Sequence, residues 1–135
     1  LKDKFEEALS FENVIGLSIS TRPDCLEDDV VDYLAELNER TNLWVELGLQ
    51  TIHDVTSKKI NRGHDYDTFL EGLKKLQDRN IKVVVHIING LPGEDYNMMM
   101  DCKSSCRYEC SWNKNPSITC YKRYCSSKII REKTI

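Results

Sequence analysis

The chain has 135 residues, with 19 basic and 22 acidic side chains and a net charge of −3. At 40% hydrophobic and 30% charged, it has the composition of one ordinary globular domain, not of a disordered chain or a coiled coil. No apolar run reaches the roughly 18 residues that a membrane-spanning helix needs, and the charged, amphipathic opening Leu1–Ser10 is not a signal peptide. A cytoplasmic chain with no membrane partner is therefore expected. It opens on Leu1 without an initial methionine, so a fragment is expected.

The average hides a break. Residues 1–101 carry 11 basic and 20 acidic groups, net −9, whereas residues 102–135 carry 8 and 2, net +6. Five of the six cysteines lie after residue 101, in a stretch with no Leu, Val, Ala or Gly.

In chain order, Leu1–Ser10 reads as the end of a helix, with Phe5 and Leu9 one turn apart. Val14–Ser20 is an apolar run of strand length, broken by Thr21-Arg22-Pro23-Asp24. A helix from about Leu26 to Glu39 presents Val30, Val31, Leu34 and Leu37 on one face, and its acidic start suits the positive end of the helix dipole. A second strand covers Leu43–Leu49, and a short helix covers Thr51–Ser57. After the loop Asn61-Arg62-Gly63-His64, Asp65 or Asp67 can cap a helix whose buried stripe is Phe69, Leu70, Leu73 and Leu76. A third strand, Ile81–Ile88, ends at Asn89-Gly90-Leu91-Pro92-Gly93-Glu94, and a last helix runs through Met98–Met100. Helices alternating with nearly continuous apolar strands imply parallel strands covered by helices, about three βα units.

In such folds ligands sit where strands end in loops. Arg22 and Gln50 are polar groups at strand ends, and Glu46 lies inside an otherwise apolar strand, where a buried carboxylate needs a partner. Arg22, across neighbouring strand ends, is a candidate partner. Neither G-x-G-x-x-G nor G-x-x-x-x-G-K-[ST] occurs, which leaves a phosphate-cradling nucleotide binder without its loop.

Four segments in order, Ile19-Ser20-Thr21-Arg22-Pro23-Asp24, Glu46-Leu47-Gly48-Leu49-Gln50-Thr51, Asn61-Arg62-Gly63-His64 and His86–Glu94, resemble the radical S-adenosylmethionine superfamily. The resemblance covers residues 1 to about 101. It is nearest to bacterial iron–sulfur oxidoreductase-like proteins related to the oxygen-independent coproporphyrinogen oxidases and the elongator-type tRNA-modifying enzymes. It implies an α/β fold, a fragment of a partial (β/α)6 TIM-like barrel, to which this chain supplies the fourth to sixth strands. The missing barrel half is then the expected partner. In that family a 4Fe–4S cluster reductively splits S-adenosylmethionine to a 5′-deoxyadenosyl radical. The resemblance places the cluster's Cys-x-x-x-Cys-x-x-Cys ligands upstream of Leu1, so the chain alone is expected to be inactive, with no catalytic residue of its own and weak cofactor binding at most.

The resemblance also implies individual roles. Gln50 matches a glutamine that contacts the cofactor's ribose. Arg62 matches an arginine that pairs with its methionyl carboxylate, a task suited to a planar fork. Ile88 matches a residue packed near the adenine. Ser20 and His86 are further candidates to face the cofactor; they stand where the coproporphyrinogen oxidases carry acidic residues, which argues against porphyrin chemistry. The blander readings stand beside these: Gln50 as a loop cap, Arg62 as a solvated loop residue, His86 as a satisfied core histidine, His53 and His64 as surface groups.

Cys102, Cys106 and Cys110 follow at i, i+4 and i+8, which permits an alternative reading as a small metal-binding or redox module. Both gaps are three residues, unlike the family's cluster motif, and a thiol module does not explain the loss of Leu, Val, Ala and Gly. A one-base shift of the reading frame after Asp101 does: with A/T-rich codons chosen for the tail, one allowed shifted translation gives an amphipathic helix, a glycine and an apolar strand. Residues 102–135 are therefore expected to be an out-of-frame, irregular tail with no metal site, and its basic charge carries no case for nucleic-acid binding. The acidic body offers none either.

Overall fold

The computed structural model describes the backbone of residues 2–111 and 118–124, and side chains as far as residue 105. Its elements are α1 (Lys2–Leu9), β1 (Gly16–Thr21), a single 3-10 turn (Pro23–Cys25), α2 (Asp28–Arg40), β2 (Asn42–Gln50), α3 (Asp54–Lys59), α4 (Tyr66–Asp78), β3 (Lys82–Asn89), α5 (Tyr96–Ser111) and β4 (Ile118–Tyr124). Through α5 the order is the one the hydrophobic pattern predicts. The four strands form one parallel sheet in the order β1-β2-β3-β4.

Strand alternation divides the sheet into two unlike faces. In β2, Leu43, Val45, Leu47 and Leu49 are buried to 1% exposure or less. In β3, Val83, Val85 and Ile87 are equally buried. These seven share one core with Val31, Leu34 and Leu37 of α2 and Phe69, Leu73 and Leu76 of α4. The intervening residues, Glu46, Gly48 and Gln50 of β2 and His86 and Ile88 of β3, line an open cavity instead. Glu46 thus sits in an apolar run because only every second residue of that run enters the core.

Helix ends follow local chemistry. Asp65 caps α4: its carboxylate accepts from the Thr68 amide at 2.9 Å and the Thr68 hydroxyl at 2.6 Å. These bonds to the charged form hold the Asp65 carboxyl below its ordinary value. Its contribution is therefore fully present above the unfolded value of about 3.9 and lost as pH falls through the lower folded value. Asp65→Ala is expected to lower the thermal midpoint at pH 7, with the difference from the parent shrinking below about pH 4. Melting curves at the two pH values check this. Helix α1 is tied to α2 by Arg40, whose two guanidinium Nη atoms donate to the Glu6 carboxylate at 2.8 and 2.7 Å.

The irregular tail expected from residue 102 onward is corrected over its described part. Helix α5 continues to Ser111, and 118–124 form β4 in parallel register with β3 from Val83↔Ile118 to Asn89↔Tyr124. Ile-Thr-Cys-Tyr-Lys-Arg-Tyr is rich in β-branched and aromatic residues, and β3 without it would present a row of unpaired backbone groups. Cys125 and 126–135 lie outside the described residues, as do the side chains of Cys106, Cys110 and Cys120.

Candidate functional site

The cavity lies at the carboxyl ends of β1, β2 and β3 and has a volume of about 600 Å³. All five residues that the sequence singled out for a cofactor, Ser20, Gln50, Arg62, His86 and Ile88, line it. Four come from strand ends and one, Arg62, from the loop after α3. The structure adds Arg22, Cys25, Glu46 and Gly48 to the walls. Glu46 and Gly48 were legible through the two-residue period that also leads to Gln50. Cys25 carries no such signal, since it reaches the cavity only through the 3-10 turn.

Glu46 is the hub of a cross-strand network. Its carboxylate accepts from Ser18 Oγ at 2.8 Å and Ser20 Oγ at 2.9 Å, and lies 3.3 Å from His86 Nε2. Parallel register places the parts: Ser20 is opposite Glu46, and Gly48 is opposite His86. His86 is thus a cavity-wall residue in contact with a carboxylate, not a core histidine. The expected pairing of Glu46 with Arg22 is not what forms. Arg22 Nε and Nη2 donate to Asp24 at 2.9 and 2.6 Å. Asp24 is two residues away on the turn that Pro23 starts, within direct reach of Arg22. The bond to Arg22 holds the Asp24 carboxyl below its ordinary value.

Arg62 behaves differently. Its Nη2 donates to the carbonyl of Gly48 at 2.7 Å, and its Nε is buried without a hydrogen-bond partner. Burial, with the Arg22 charge nearby, lowers its pKa. Among the described residues no carboxylate forms an ion pair with it. Gly48 makes room for it: a Cβ there would lie 2.8 Å from Arg62 Nη2 and 2.9 Å from Gln50 Nε2. Gln50 itself has φ 72, left-handed for a residue with a side chain, at an irregularity where the β2–β3 register shifts. Such a conformation costs about 1–3 kcal/mol and gathers at functional sites.

His53 and His64 are both half-buried. His64 Nδ1 is 3.1 Å from the Asp65 carbonyl, and His64 lines a second cavity of about 480 Å³ that Arg62 also lines. His53 Nε2 is 3.0 Å from the Met98 carbonyl. No helix among the described residues is long and apolar enough to cross a membrane.

The model of the radical SAM superfamily matches residues 1–106. Over 101 residues the chain is 62% identical to the uncharacterized protein YtqA of Bacillus subtilis (strain 168), covering 75% of this chain and 31% of YtqA. The structure of archaeal Methanocaldococcus infernus Elp3 superposes with a TM-score of 0.64 at 25% identity, over 81% of this chain and 25% of that one. Escherichia coli coproporphyrinogen III oxidase (HemN), a radical SAM enzyme, superposes with a TM-score of 0.60 at 20% identity, over 78% of this chain and 23% of that one; at that identity the likeness is one of fold. The chain spans about a third of the length of YtqA. With four-fifths of its length matched by the family model, the chain belongs to the radical SAM superfamily.

Proposed function

We propose that the cavity at the strand ends binds S-adenosylmethionine, and that this chain is part of a radical SAM enzyme whose substrate is still to be found. The observation that carries the reading is Arg62: a partly buried guanidinium with an unpartnered Nε and no carboxylate of the chain on it. A buried cation of this kind calls for an anion, and the methionyl carboxylate of the cofactor supplies one. Gln50 offers an amide to the ribose, and Ser20 and His86, held by Glu46, offer polar contacts to its hydroxyls or the amino group. Ile88 offers an apolar surface to the adenine. A volume of about 600 Å³ is of the size that holds a cofactor of this kind.

When bound in its parent enzymes, the cofactor supplies a carbon-centred radical after one-electron reduction by an iron–sulfur cluster. The described cavity residues do not fit such a cluster. They include one thiol, Cys25, whereas cubane clusters are held by several cysteine thiolates. We therefore infer that this chain binds the cofactor weakly and does not cleave it.

Equilibrium dialysis of the full chain against labelled S-adenosylmethionine tests the first half. Saturable binding, displaced by S-adenosylhomocysteine, is expected; its absence at millimolar cofactor would remove the proposal. Chromatography after incubation with dithionite tests the second half, and 5′-deoxyadenosine in the products would contradict it.

We also propose that residues 102–135 are read out of phase. The composition changes at residue 102, and the family match ends at 106. The coding DNA decides: a one-base shift after Asp101 should open a reading that restores the βα pattern.

A further inference from the structure

Away from the cavity, three potential ligands converge where the β2–α3 loop, the β3–α5 loop and α5 meet. They are His53, Glu94 and Cys102, and one ligand atom from each lies within 4.8 Å of the other two. Glu94 is 8% exposed and Cys102 is 2% exposed.

The carboxylate of Glu94 is incompletely satisfied. Oε1 accepts from Thr51 Oγ1 at 2.5 Å, but Oε2 is buried without a hydrogen-bond partner. Among the described residues neither lysine nor arginine forms an ion pair with it. A buried carboxylate left this way is costly unless a cation meets it. The two companions are soft and borderline donors, so the cation that suits all three is a transition metal and not Mg²⁺ or Ca²⁺.

We propose that His53, Glu94 and Cys102 form a zinc site. A thiolate and a carboxylate balance the charge of Zn²⁺, and three protein ligands leave one tetrahedral position for water. At zinc–ligand lengths of about 2.0–2.3 Å, tetrahedral donors lie roughly 3.5 Å apart. Binding would draw the three ligand atoms together from their present separations of up to 4.8 Å. The outer partners are already in place. The Ile52 amide donates to Cys102 Sγ at 3.4 Å, which offsets part of the burial that pushes this thiol up. The Thr51 hydroxyl touches Glu94 and, at 3.4 Å, Cys102. His53 Nε2 faces the Met98 carbonyl at 3.0 Å. A carbonyl only accepts, so Nε2 carries the proton and Nδ1 keeps its lone pair, the tautomer that second-shell carbonyls select in zinc sites. The site is a property of this chain as it stands, whatever the origin of the tail that begins at Cys102.

The test is a cobalt(II) titration of the full chain carrying Cys106→Ser, Cys110→Ser, Cys120→Ser and Cys125→Ser, which silences the other tail thiols. One equivalent should bind, with a thiolate-to-cobalt charge-transfer band and the visible bands of a tetrahedral ion, and zinc should displace it. Adding Cys102→Ser should abolish the charge-transfer band. Glu94→Gln keeps the shape and the acceptor for Thr51, so it should keep the band. It should also weaken the affinity by more than the ~10–100-fold that loss of an outer-shell partner costs. The proposal falls if the four-serine chain shows no charge-transfer band, if the band survives Cys102→Ser, or if Glu94→Gln leaves the affinity unchanged.

Discussion

Arg62→Ala is expected to weaken S-adenosylmethionine binding by roughly 10- to 100-fold, the equivalent of the ~1.5–3 kcal/mol that a hydrogen bond to a charged group contributes. The guanidinium is held over Gly48 by one bond, from Nη2 to the carbonyl at 2.7 Å, while Nε remains unpartnered. Loss of the side chain therefore removes the anion site and little of the packing. Arg62→Lys should recover only part of the affinity, because an ammonium is a point charge and cannot present two parallel donors to a carboxylate. Calorimetric titration of the parent and both variants checks this, with thermal midpoints as the folding control. Unchanged affinity in Arg62→Ala would mean that Arg62 does not hold the carboxylate of the cofactor.

The second large effect concerns the core. Phe69 is 1% exposed and packs with the buried faces of β2, β3 and α2. Phe69→Ala is expected to cost about 3–5 kcal/mol, transfer and cavity contributions together. Domains are stable by only about 5–15 kcal/mol, so a large part of the margin would go. Urea unfolding followed by far-ultraviolet circular dichroism measures it. A loss under about 1 kcal/mol would mean that α4 is not docked on the sheet.

These two residues also mark what could be read without a structure. Phe69 belongs to a 3.6-residue stripe behind a capping aspartate, and both signals are local. The three βα units were legible for the same reason. Arg62 was picked out by its place in a family pattern, and its environment was not readable: its proximity to Gly48 depends on where the loop after α3 lies relative to β2. The partner of Glu46 was misread because strand-end proximity suggested Arg22, while Pro23 turned the chain and gave Arg22 to Asp24. Strand β4 was missed because the change in composition at residue 102 outweighed a short run of strand-forming residues. The cluster of His53, Glu94 and Cys102 draws on three separate segments, and no sequence period connects them.

The order β1-β2-β3-β4 means that every strand after the first pairs with its predecessor in the chain and extends the sheet at one edge. No strand has to wait for a partner made much later, and none must be inserted between two already joined. Such a sheet can be laid down vectorially as the polypeptide leaves the ribosome, each helix covering its strand before the next strand emerges. The same directionality limits damage. The pairing of β1, β2 and β3 and their common core draw on residues before 90, so a change late in the sequence removes none of those contacts.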